Sequence, residues 1–130
     1  LTQMRDGVAI DRDSGNAADG LKFDYEVLPA GAEFAFTMHA ENVTTKQFAL
    51  LAAGIREMQQ GVVPLGGNRS RGLGHCRLID VDLGGIRLTD DEGKRLPKAA
   101  ADLVAYVREG SLPSMDMDTV FDEALASLEA

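Results

Sequence analysis

The sequence predicts an α+β domain in which helices pack on an antiparallel sheet, and three observations predict it. Two stretches near the start alternate apolar and polar residues, as strands with one buried face do. A stretch from residue 45 repeats its apolar residues at intervals of three and four, the period of a helix. A glycine-rich segment then joins that helix to another alternating stretch.

Each element follows in order. Val8 and Ile10 put one apolar face on residues 5–12, a short strand. Residues 13–20 are turn formers with little to bury and predict a projecting loop. Leu21, Phe23, Tyr25 and Val27 alternate with Lys22, Asp24 and Glu26; after Pro29, Ala30 and Gly31, the residues Phe34, Phe36, Met38 and Ala40 alternate again. The expectation is an antiparallel hairpin of 21–28 with 33–41. Thr44 or Thr45 caps a helix over 45–60, with Phe48, Leu51, Ile55 and Met58 on the face that packs on the sheet. Residues 75–83 resume a strand, and Ile86 with Leu88 form another. Helices follow at 98–108, with Leu103, Val104 and Val107 inward, and at 119–128, the latter acidic and amphipathic. Strand, helix, glycine loop and strand in that order match the second half of a ferredoxin-like or RRM-like sandwich. The first β-α unit of such a fold is not visible and the chain opens on Leu1, so the expectation is a domain lacking its N-terminal part. Residues 1–83 would carry the RRM-like domain, and 84–130 its acidic C-terminal strand and helices.

Composition narrows the function. The 130 residues suffice for one domain, and 45% hydrophobic with 26% charged content is that of a folded chain. The apolar runs are too short to span a bilayer, and Cys76 as the only cysteine allows no internal disulfide; a cytoplasmic protein is expected. A net charge of −8 opposes nucleic-acid binding, but it is unevenly spread. Residues 1–77 carry eight Lys or Arg against nine Asp or Glu, and residues 78–130 carry five against twelve.

The segment from Gly66 to Arg77 holds Arg69, Arg71, His75 and Arg77 with no acid. Asn68 and Ser70 add donors, and Gly66, Gly67, Gly72 and Gly74 let backbone amides approach a phosphate closely. A Walker or Rossmann loop is excluded by context, since those follow a strand and open a helix, and this one does the reverse. Two readings remain: a sharp αβ connection with solvated arginines, or a site for an RNA backbone.

RDGVAIDR at residues 5–12, FDYEVLPAGAEF at 23–34 and GGNRSRGLG at 66–74 together resemble, in order, the RAMP superfamily of CRISPR effector proteins, nearest the backbone subunits of type III complexes. The likeness covers about residues 5–80. It implies an RRM-like domain that grips guide RNA by its sugar-phosphate backbone and leaves the bases free to pair with target RNA. Partners would be guide RNA, target RNA, other CRISPR effector subunits and further copies along the guide, with no membrane, metal or cofactor. The family's guide-contacting loop carries over to Gly66, Gly67, Asn68, Arg69, Ser70, Arg71, Gly72 and Gly74, with His75 and Arg12 as neighbours, and the loop at 13–20 resembles the family's projecting thumb.

Enzymatic activity is open at this stage. The aspartate with which related subunits cleave target RNA has no matching position here, and Asp11, Asp13 and Asp19 are ordinary turn residues. His39 and His75 are the candidates for acid-base cleavage of a guide precursor, the alternative function; a surface imidazole is the plainer reading of His39. A protein-interaction domain without RNA binding is the third possibility, favoured by the acidic tail.

Overall fold

A two-residue alternation forms a strand only where a second strand completes its ladder, and in the computed structural model, which describes residues 2–10 and 12–129, that partner lies earlier than expected. Strand β1 (Gln3–Ile10) pairs antiparallel with β2 (Ala17–Val27), from Gln3 opposite Val27 to Val8 opposite Lys22, with an irregularity before Ile10 meets Ala17. The turn formers Asp13, Ser14, Gly15 and Asn16 connect them, and Gly15 takes a positive φ of 68°. The expected 13–20 loop is therefore shorter, because β2 begins at Ala17. Asp11 and the side chains of Val8, Asp19 and Leu21 lie outside the described residues.

The expected hairpin of 21–28 with 33–41 does not form. The chain does turn after Pro29, whose carbonyl accepts from the Ala32 amide at 3.2 Å. Residues 32–41, however, carry no ladder, and Phe34 is 69% exposed. Alternation set the faces of this segment without setting its neighbour, and Gly31 to Asn42 stay exposed throughout.

Residues Leu1–His39 and Ala40–Ala130 group into two compact units. In the second, helix α1 (Thr45–Gln59) begins at Thr44, whose hydroxyl accepts from the Gln47 amide while the Gln47 side chain accepts from the Thr44 amide, a reciprocal capping box. The helix packs on a helix rather than on the expected sheet. Its partner is α3 (Met117–Ala126), and the small residues Ala49 and Ala52 are wholly buried. Phe121 of α3 is 1% exposed and meets the Phe48 ring edge-on at 5.7 Å. Arg56 lies 5.6 Å over the Phe121 ring and pairs with Asp118 at 2.8 Å, closing this core on its wet side.

Helix α2 (Ala99–Glu109) buries Ala99 and half-buries Asp102 and Ala105. Leu103, Val104 and Val107, expected inward, are exposed, Val107 by 73%. Residues 75–82 are irregular rather than a strand, as are Ile86 and Leu88; β3 (Leu83–Gly84) pairs with β4 (Ser114–Met115), and Thr89 makes an isolated antiparallel bridge to Arg95. The class is α+β as expected, with three helices beside small antiparallel sheets, consistent with a ferredoxin-like fold.

The start of α1 has no acid in its first turn, and Asp91 supplies one from 46 residues away. Its carboxylate accepts from both the Thr45 amide and the Thr45 hydroxyl at 2.9 Å, and Arg87 Nη2 donates to that hydroxyl at 2.8 Å and to Asp91 at 3.2 Å. A carboxylate there also complements the helix dipole. The Thr45 amide first, then its hydroxyl and the Arg87 charge, hold the Asp91 carboxyl below its ordinary value.

A carboxyl whose folded-state pKa is depressed adds stability above its unfolded pKa and loses it as pH falls through the folded value. Thermal unfolding followed by helical circular dichroism should therefore weaken below about pH 4, and Asp91→Ala should flatten that acid limb while lowering the melting temperature at neutral pH. Phe121→Ala should cost about 3–5 kcal/mol, a large part of the stability of such a domain, read as a lower denaturation midpoint.

Candidate nucleic-acid interface

After α1 the chain leaves and returns along nearly the same line, and this makes a loop with a stem. Met58 O accepts from the Leu78 amide at 3.0 Å, Cys76 Sγ lies 3.7 Å from Val63 O, and the Leu65 amide donates to Gly74 O at 2.9 Å. Residues 66–73 are thereby held closed at their base, a compact loop of the kind that carries function on a fixed scaffold. Sequence reasoning named the loop but not Leu65, which closes it. No local signal marks Leu65, because its hydrogen bond is to a residue nine positions on.

Inside the loop, Arg69–Arg71 make one turn of 3₁₀ helix between two left-handed residues, Asn68 at φ 55° and Gly72 at φ 76°. The Arg71 amide donates to Asn68 O at 2.9 Å and the Gly72 amide to Arg69 O at 3.0 Å. Arg69 Nε donates to Gly66 O at 3.1 Å, which fixes the side chain and leaves its terminal nitrogens on an exposed group. Every residue from Gly66 to Gly72 is exposed, as are His75 and Arg77, and no Asp or Glu occurs between Gly61 and Ile79. The arrangement is a small cationic surface on a glycine-rich backbone, able to take an anion by charge and by amide donors together.

The structure thus brings Gly66, Gly67, Asn68, Arg69, Ser70, Arg71, Gly72, Gly74 and His75 onto one loop and its edge. Arg12 belongs to the first unit and is exposed in the turn after β1. His39 belongs to that first unit and His75 to the second, both exposed. Cys76 is exposed. Among the described residues no group of three or more His, Cys, Asp or Glu could hold a metal ion, and no helix is long and apolar enough to cross a membrane.

Gly74 and Gly72 differ in what their replacement meets. Both have positive φ, at 88° and 76°, but a Cβ on Gly74 would strike the Leu65 carbonyl, whereas one on Gly72 meets nothing within 4 Å. Gly72→Ala should cost only backbone strain, about 1–2 kcal/mol. Gly74→Ala must also part the stem, so hydrogen exchange at the Leu65 amide should quicken in that variant and stay slow in Gly72→Ala.

No curated protein matches the chain. A family model, that of the RAMP superfamily, matches residues 1–77, a span that takes in the β1–β2 ribbon, helix α1 and the whole closed loop. More than half of the chain is matched, and the protein belongs to the RAMP superfamily of CRISPR-associated proteins.

Proposed function

We propose that this protein is an RNA-binding subunit of a CRISPR effector complex, of the type III backbone kind, and that it holds guide RNA by the sugar-phosphate chain through residues 66–75. The observation that carries the reading is the closed, acid-free loop with Arg69 and Arg71 on one turn. Backbone recognition asks for cations and amide donors at fixed places and leaves the choice of sequence to base pairing. A loop pinned at Leu65 and Gly74 holds both before RNA arrives, so less ordering entropy opposes binding.

Chain charge does not defeat this reading. Beyond residue 77, Asp91 pairs with Arg87, and Asp118 and Asp122 pair with Arg56. Affinity for phosphate depends on the local field within about 8–10 Å at physiological salt, and the loop's own segment is purely cationic.

Binding to a CRISPR guide and to an unrelated single-stranded RNA of equal length should be similar and should fall steeply with salt. Arg69→Ala with Arg71→Ala should weaken both RNAs and reduce the slope of log affinity against log salt by about 1.4, two phosphate contacts at roughly 0.7 each on a single strand. An unchanged slope would remove the loop from the interface, and absence of binding to any RNA by the unaltered protein would remove the function.

A further inference from the structure

Helix α2 is held from one side. Ala99 is buried and Asp102 and Ala105 are half-buried, and residues at this spacing share a face. Ala100, Leu103, Val104 and Val107 repeat at intervals of three and four on the opposite face, and all four are exposed, Val104 by 51%. The two acids of α2 stand away from this row. Asp102 is on the packed face, and Glu109 follows Val107 by two residues, which turns it to the far side of the helix.

One charge borders the row. Leu103, Val104, Val107 and Arg108 line an open hollow of about 300 Å³. Small-molecule pockets begin near that volume but enclose most of their ligand; walls as exposed as these cannot, so the hollow suits side chains of a partner better than a small molecule. Arg108 makes no ion pair with a described residue. Its place in the last turn suits the helix dipole, yet no carboxylate neutralises it. Residues 78–130 hold twelve Asp or Glu against five Lys or Arg, and within that acidic stretch this face is apolar and cationic.

We infer that this face of α2 docks an amphipathic helix of a partner protein, one that sets aliphatic side chains against Leu103, Val104 and Val107 and a carboxylate against Arg108. A row at three-and-four spacing offers ridges and grooves to a second helix laid beside it, whereas an extended chain would find no backbone edge on which to add a strand. Arg108 decides the charge of the partner. A second copy fits poorly, because a two-fold contact sets a patch against itself and this face brings no carboxylate to Arg108. The row spans about 10 Å of helix axis, too short for the roughly 800 Å² per partner of a stable interface, so the face serves as one contact among several in an assembly. Helix α2 lies beyond residues 1–77, the span that the family model matches, and the docking does not depend on RNA binding.

The test uses the full chain and two fluorescein-labelled helical peptides of about 15 residues, long enough to hold a helix. Both carry leucines at three-and-four spacing; one flanks them with glutamates and the other with lysines. Fluorescence anisotropy should show the glutamate peptide bound about tenfold more tightly. Arg108→Glu should reverse that order, and Val104→Asp with Val107→Asp should remove binding of both peptides while the helical circular dichroism stays that of the unaltered protein. Arg108→Glu changes one exposed side chain, so its readout stands even if the aspartate variant does not fold. Binding of neither peptide, or a preference that Arg108→Glu leaves unchanged, overturns the docking site. Sedimentation as a dimer that Val107→Asp dissociates would give the face to a second copy and overturns it as well. RNA affinity is read separately, and its loss or retention bears on the 66–75 loop alone.

Discussion

A helix leaves backbone groups unsatisfied at each end, and the ways in which α1 satisfies its own organise residues 40–130. At the start, Thr44 and Gln47 cap each other's backbone and Asp91 takes the Thr45 amide. At the end, Met58 O accepts from the Gly61 and Leu78 amides and Glu57 O from the Val62 amide. The second set matters most for the site. The chain that leaves the helix and the chain that returns are bound to the same last turn, so the stem of the 66–73 loop is an extension of the helix end.

The α1–α3 core is what makes that helix a fixed support. Alanines at 49 and 52 let α3 come close, Phe121 fills the space beside Phe48, and Arg56 covers the Phe121 ring while meeting Asp118. Arg56 is partly exposed, with 31% of its side chain accessible, so its ion pair is screened and contributes little by charge. Its stem and guanidinium plane do more by shielding the aromatic ring from water. Most of the rigidity passed to the loop therefore comes from apolar packing rather than from the acidic surface of α3.

How much of this was legible in the sequence follows from the range of each interaction. The helix over 45–60, its threonine cap and the glycine-arginine loop are written locally and were found where expected. The α+β class and the family were legible too, because three blocks in fixed order carry more information than any one of them. Strand partners were not. Phe23 and Tyr25 alternate as plainly as Phe34 and Phe36, and period alone cannot say that β2 pairs backward with β1 through the turn at 13–16 instead of forward across Pro29. Leu65 and Asp91 were missed for the same reason: each acts on a residue outside its own segment.

The inward face of α2 shows a different failure. Leu103, Val104 and Val107 are the apolar residues of that helix, yet Ala99 is the one it buries. An apolar stripe records which side of a helix avoids water in the state where it is used, and it does not record what lies against it in this chain. Small residues permit close approach, as at Ala49 and Ala52 of α1, which packs on α3. Both kinds of residue mark contact in this protein, the alanines at 49 and 52 and the large ring of Phe121, so size alone does not say which side chains are covered.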